Sequence, residues 1–271
     1  MASVLIVGGG IAGLATALRL HRSGWKVTLV ERAPSLRGGG YLIGFSGIGY
    51  RAARDWGLLP ALQDRQPPMV DLVYVDESGR QLSTLPVAAQ QAMVGKEMVS
   101  LLRGDLEDVL FKALDDTVDV RFDTSVTHIA QDDDGVTATL TDGTQLTTDL
   151  LVGADGLHST VWQLVFGPER QFRRDLGHAV ATVLLDHRPV AVRADQTVSM
   201  GLVGRGVGIY TVRGAGAGFF TFATDDVDAD LAAGPRVKLH RVFGDLKWAV
   251  LSCSIRSMPP TGCTSTASAR S

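Results

Sequence analysis

The stretch Val4-Leu5-Ile6-Val7-Gly8-Gly9-Gly10-Ile11-Ala12-Gly13-Leu14, followed by Val27-Thr28-Leu29-Val30-Glu31-Arg32, decides the fold. Val4 to Val7 is a short run of the kind that forms a buried strand. From Ile11 to Ser23, the apolar residues Ile11, Leu14, Ala15 and Leu18 recur three and four apart, the spacing of a helix with one buried face. Gly24 is a natural stop for that helix. Val27 to Val30 is a second β-branched run. A strand, a helix and a strand joined this closely form a β-α-β unit with parallel neighbouring strands.

The glycines then acquire roles. Gly8 permits a tight turn, Gly10 lets a pyrophosphate approach the backbone, and Gly13 allows the helix to pack closely on the strand. Ile11 and Ala12 open the helix, whose free N–H groups and partial positive charge would face the phosphates. Glu31, at the end of the second strand, is placed to accept hydrogen bonds from the adenosine ribose hydroxyls. A carboxylate there disfavours a 2′-phosphate, so the expected nucleotide is FAD or NAD rather than NADP. The expected fold class is therefore α/β with a Rossmann-type nucleotide-binding unit at its start.

Further along, Leu58-Leu59-Pro60 is expected to end a helix that begins near Gly47. Leu72–Val75 and Gln81–Leu85 flank Asp76-Glu77-Ser78-Gly79 and read as a hairpin. Met98–Leu102 reads as a strand leading into a helix from about Asp105 to Leu114. Strand-like runs follow at Val118–Phe122, Val126–Gln131, Val136–Thr141 and Leu150–Gly153, with a short helix expected over Ser159–Phe166. Beyond Pro168, Ala179–Leu185, Thr197–Val203, Val207–Val212 and Phe219–Ala223 look like antiparallel strands without helices between them. The expected organisation is a nucleotide-binding domain over 1–167, to which a hairpin insertion at about 70–97 adds material on the substrate side. A substrate-domain sheet over 168–250 and an irregular tail over 251–271 complete it.

The 271 residues carry a formal charge of −3, a pI near 6.1 and 45% hydrophobic residues. A sizeable core is possible, and the basic face of a nucleic-acid binder is not suggested. No stretch approaches the roughly 18 apolar residues of a membrane span, and the first residues do not resemble a signal peptide. Cys253 and Cys263 form no CxxC, which suits a reduced, cytoplasmic setting. The six histidines have no metal-ligand spacing, and there is no G-x-S-x-G nucleophile elbow. Arg170, Arg173 and Arg174 read as a solvated basic patch. No metal site and no catalytic side chain are expected.

Glu31-Arg32 begins to separate FAD from NAD. With the glycine run before it, it resembles the class A flavoprotein monooxygenases, the group of para-hydroxybenzoate hydroxylase and the polyketide hydroxylases. Leu101-Leu102-Arg103-Gly104-Asp105-Leu106 resembles the family segment whose arginine touches the flavin side of the cofactor. Asp149-Leu150-Leu151-Val152-Gly153-Ala154-Asp155-Gly156-Leu157-His158-Ser159 resembles its Asp-Gly motif. By this resemblance Arg103, Asp155 and Gly156 contact FAD, and Gly39 and Gly40, in the run Gly38-Gly39-Gly40, pass along the flavin. Val126 completes the expected cofactor-side set.

The resemblance implies an FAD-binding domain joined to an antiparallel substrate sheet. It implies hydroxylation of an aromatic or polycyclic small molecule with NAD(P)H as co-substrate and O₂ as oxidant, through a flavin C4a-hydroperoxide. Gly218-Phe219-Phe220 would suit an apolar aromatic ligand, although any one of these phenylalanines is better read as core.

Two departures from the family pattern stand out. Trp162 occupies the position, seven residues after Asp155, where the family usually has arginine. The family's later Gly-Asp motif has no credible copy, because Gly244-Asp245 is followed by Leu246-Lys247-Trp248. The alternative expectation is thus a truncated, catalytically inactive FAD-binding remnant.

Overall fold

The computed structural model describes residues 1–36, 41–114, 116–185, 192–212, 215–232, 234–246, 264–265 and 268–270. The chain opens with β1 (Ser3–Val7), α1 (Ile11–His21) and β2 (Lys26–Val30). β1 and β2 pair in parallel, as the short crossover requires. Leu14, Ala17 and Leu18 of α1 are fully or almost fully buried against Val4, Ile6, Val27 and Leu29. Each buried leucine stabilises the layer by roughly 1.5–3 kcal/mol.

After β3 (Leu42–Ser46) the chain enters α2 (Gly47–Asp55) and then a separate α3 (Leu59–Gln63). This corrects the single helix expected up to Pro60. Gly57 takes φ +75°. Its N–H returns to the Arg54 carbonyl at 3.0 Å, and that of Leu58 to Ala53 at 2.8 Å. This paired return ends α2, and Pro60 sits in the first turn of the next helix, where proline is tolerated.

β4 (Asp71–Val75) and β5 (Gln81–Leu85) form the expected hairpin. Next come α4 (Val87–Val94), β6 (Met98–Leu102) and α5 (Arg103–Lys112). β6 pairs antiparallel with β3, which fixes where α5 begins. The strands β7 (Asp119–Arg121), β8 (Val126–Asp132), β9 (Gly135–Leu140), β10 (Gln145–Thr148) and β11 (Leu150–Gly153) lead to α6 (Thr160–Phe166). β7 and β11 flank the first two strands, giving a parallel sheet in the order β11-β1-β2-β7. β8, β9 and β10 form an antiparallel sheet of their own.

The second half holds β12 (Arg173–Asp175), β13 (His178–Leu185), β14 (Gln196–Leu202), β15 (Arg205–Val212) and β16 (Ala215–Ala223). They are followed by α7 (Val227–Ala232), α8 (Pro235–Phe243), β17 (Thr264–Ser265) and β18 (Ser268–Arg270). The large sheet runs β17-β13-β16-β15-β14-β4-β5. It is antiparallel except where β14 lies parallel to β4. Phe220 and Phe222 pack edge-on against Phe243 of α8 in its core. They are core residues, whereas Phe219 turns to the opposite face and stands 6.2 Å from the Tyr41 ring. No described helix is long and apolar enough to cross a membrane.

Arg173 departs from the solvated patch expected of it. It pairs with Glu169 at 3.0 Å, Asp175 at 3.1 Å and Asp228 of α7 at 2.6 Å. Its guanidinium is held charged, chiefly by Asp228. Glu169 also meets the His158 ring at 3.0 Å. Burial acts to raise the Glu169 pKa, but the bonds from His158 and Arg173 outweigh it and hold the carboxyl below its usual range. The network ties the loop after β11 to α7 beside the large sheet.

Candidate cofactor site

The carboxyl ends of β1, β2 and β11 converge with the first turn of α5, and a cleft of about 160 Å³ opens there. In open parallel sheets this is the edge at which ligands bind. Backbone hydrogen bonds stitch the edge together: Gly8 N–H to Val30, Ala154 N–H to Val7, Glu31 N–H to Arg121 and Thr124 N–H to Glu31, all at 2.7–3.0 Å.

The glycine turn is forced by its neighbours. Gly8 adopts φ +110°, and a Cβ there would lie 2.4 Å from the Ala154 carbonyl oxygen. A Cβ on Gly13 would lie 1.8 Å from the Gly8 oxygen. Neither position can carry a side chain without moving backbone. At Gly10 the geometry differs. A Cβ there would meet only Arg103 Nη2 at 3.5 Å and Glu107 Oε1 at 3.6 Å. Its bare face is turned to the cleft.

Glu31 reaches back over the turn. Its Oε2 accepts the Gly9 N–H at 2.6 Å and its Oε1 the Ala33 N–H at 2.9 Å. A carboxylate oxygen has two lone pairs, so each can still accept from a ligand hydroxyl. Asp155 divides its oxygens. Oδ2 accepts the N–H groups of Thr160 at 2.6 Å and Val161 at 3.1 Å and so holds the start of α6. Oδ1 is buried with no hydrogen-bond partner. A buried acceptor without a donor is costly, and this one lies on a residue that lines the cleft. Arg103 begins α5, its N–H anchored to the Tyr41 carbonyl at 2.9 Å. Its guanidinium meets Glu107 Oε1 at 2.9 Å beside Gly10.

The cleft thus gathers Gly8, Gly10, Glu31, Arg32, Arg103, Asp155 and Gly156 on one wall line. Gly13 lies beneath it, and Ile11 and Ala12 form the first turn of α1 just behind. The side chain of Val126 is 2% exposed and packs among Leu5, Val7 and Val30 below the cleft; Thr124 and Ser125 line the wall there instead. Gly39 and Gly40 lie outside the described residues. Glu107, Thr124, Ser125 and Thr160 were missed in the sequence. The spacing of Glu107 four residues after Arg103 was the one signal for it. Among the described residues, no cluster has the makings of a metal site.

The group that fits this cleft has phosphates for the α1 N-terminus, hydroxyls for Glu31 and a donor for Asp155 Oδ1. Residues 1–217 match the family described as FAD binding domain. The chain belongs to that family, the FAD-binding portion of the class A flavoprotein monooxygenases. It is 38% identical over 181 residues to the uncharacterized protein Rv1260 of Mycobacterium tuberculosis, covering 65% of this chain and 48% of that one. It is 36% identical over 183 residues to the flavin-dependent monooxygenase eupH of Phoma sp, covering 64% and 43%. The crystal structure of Klebsiella pneumoniae HpxO complexed with FAD and uric acid superposes with a TM-score of 0.74 at 25% identity. That match covers 98% of this chain and 67% of that one. The chain spans about half the length of the curated relatives it matches.

Proposed function

We propose that this chain binds FAD in the cleft at the ends of β1, β2 and β11. In this reading it belongs to a monooxygenase that uses NAD(P)H and O₂ to hydroxylate an aromatic or polycyclic small molecule. The single observation that carries the reading is the buried, donor-less Asp155 Oδ1 on a residue that lines a glycine cradle whose other polar groups suit a dinucleotide. The Gly8–Gly10 turn and the α1 N-terminus would receive the pyrophosphate. Glu31 would accept from the adenosine ribose, Asp155 Oδ1 from a hydroxyl of the flavin's sugar chain, and Arg103 would contribute positive charge. FAD, when bound, supplies the redox chemistry between a nicotinamide reductant and O₂. The chain's own part is to bind, orient and exclude water. Tyr41, Phe219 and the buried Tyr210, whose Oη accepts the Leu42 N–H at 3.1 Å, form an apolar seam between the β3–β6 pair and the large sheet. The uric acid in the HpxO complex is a fused-ring molecule of the kind proposed here as substrate.

The reading is tested by purifying the chain and titrating it with FAD, following flavin fluorescence and the visible flavin band. Saturable quenching is expected; its absence at high FAD would overturn the assignment. Asp155→Asn provides a finer test. The amide can keep an oxygen on the α6 cap but then replaces the Oδ1 acceptor by N–H₂. FAD affinity is expected to fall about tenfold, the equivalent of one hydrogen bond to a charged group, with little change in Tm. Unchanged affinity would show that Oδ1 accepts nothing from the ligand.

A second reading, an inactive FAD-binding piece, is supported by Gly244 and Asp245. Gly244 caps α8, and Asp245 is held by Arg205 of β15 in two bonds of 2.6 and 2.7 Å. This pair is occupied on the large sheet rather than at the cleft. Residues 1–271 by themselves are therefore expected to show no substrate-stimulated NAD(P)H oxidation. Coupled turnover by these residues alone would overturn that expectation.

A further inference from the structure

Among the described residues, five charged side chains line the cleft: Glu31, Arg32, Arg103, Glu107 and Asp155. Three are acids and two are bases, so together these five side chains carry one net negative charge. That is an odd endowment for a site facing phosphates. The acid that makes the difference is Glu107. Glu31 and Asp155 hold backbone N–H groups of the turn and of α6, but Glu107 has another position. Its side chain is 5% exposed, its Oε1 lies 2.9 Å from Arg103 Nη2, and both atoms stand over the bare face of Gly10. A buried anion therefore sits beside the place where a pyrophosphate would meet the α1 N-terminus, and it already occupies the cation that would otherwise attract one.

We propose that Glu107 is a specificity-determining residue, a fixed anion beside Gly10 that filters nucleotides by charge. This deepens, and rests on, the reading of the cleft as a dinucleotide site. A diphosphate esterified at both ends, as in a dinucleotide, carries two negative charges. ADP and ATP end in a free phosphate and carry more. Each added ligand charge is repelled by Glu107 and gains less from an Arg103 that is already paired. The dinucleotide tolerates this penalty because Asp155 supplies a contact to the flavin's sugar chain that ADP and ATP lack. Arg103 paired to Glu107 is also pre-oriented, so the filter does not cost the site its geometry.

The experiment compares the parent chain, Glu107→Gln and Arg103→Gln, titrated with FAD, ADP and ATP at low and high salt. Glu107→Gln is nearly isosteric, and its amide oxygen can still accept from Arg103. It is expected to tighten every nucleotide, and by about three- to tenfold more for each extra ligand charge, the Coulomb effect of a unit charge some 4–6 Å away in a partly screened site. The preference for FAD over ADP, and for ADP over ATP, should shrink accordingly. Arg103→Gln should weaken all three. In the unmodified chain, added salt should narrow the preference for FAD over ADP, because screening relieves the repulsion; this readout needs no variant to fold. Weaker binding in Glu107→Gln, or an equal change for all three nucleotides, would overturn the proposal and leave Glu107 as a mere support for Arg103. A salt-independent preference in the parent would overturn it too. If ADP binds and FAD shows no advantage in any variant, the flavin reading fails, while the ADP-to-ATP comparison still decides the role of Glu107. If no nucleotide binds parent or variants, both fall together.

Discussion

Replacing Gly13 by valine is expected to abolish FAD binding and to lower thermal stability strongly. Even a single Cβ at this position would lie 1.8 Å from the Gly8 carbonyl oxygen. A backbone atom cannot step aside as a side chain can, so α1 must move away from β1. Overpacking of this kind costs about 3 kcal/mol, which for a chain of this size lowers Tm by on the order of 6–12 °C. Binding is lost as well, because the shift moves the α1 N-terminus away from the turn. Gly24→Ala is the control. Gly24 takes φ +83° but has open space around it. Alanine there should cost about 1 kcal/mol and leave FAD affinity unchanged. A Gly13→Val protein with the parent's Tm and affinity would show that the tight approach of helix and strand does not hold the site.

Glu31→Lys is the second substitution with a large expected effect. It removes the acceptors of the Gly9 and Ala33 N–H groups, bonded at 2.6 and 2.9 Å, and reverses the charge at the ribose position. The two charge-assisted hydrogen bonds proposed from Glu31 to the ribose hydroxyls, at about 1.5–3 kcal/mol each, amount to at least a hundredfold in FAD affinity. Glu31→Gln should fall between the two, since one amide oxygen can still accept from one N–H. Isothermal titration with FAD separates the three. Equal affinity in Glu31→Lys and the parent would remove Glu31 from the site.

The legibility of this chain in its sequence was uneven, for physical reasons. The β1-α1-β2 unit was readable because its signals are local: apolar spacing sets the helix, and close packing forces glycine at Gly8 and Gly13. Arg103 and Asp155 were readable through resemblance, and the fold brings both to the same cleft as Glu31. Thr124 and Ser125 were not, because they reach the cleft only through the parallel pairing of β2 with β7, a contact between distant segments. Val126, next in line, has alternation on its side and turns inward to the core. The break between α2 and α3 was hidden because Gly57 is a helix stop that reads as an ordinary glycine until its φ is known. α4 carries no apolar period at all, and none of its described residues is buried, so sequence patterning had nothing to grip.

The parallel register of β14 against β4 also has a meaning for how the chain folds. The β4–β5 hairpin is made early in synthesis, yet its partner strand, Gln196–Leu202, lies far downstream. Until that strand emerges, the Asp71–Val75 edge has no ladder to join and remains open to pairing with other chains. The first parallel sheet has the same property over a still longer separation, since β1 waits for Leu150–Gly153. Pairings of such long sequence separation close slowly, so the nascent chain passes through a period with two bare sheet edges. Refolding from denaturant should accordingly be slow and sensitive to protein concentration, and a chaperone that shields extended edges should raise its yield.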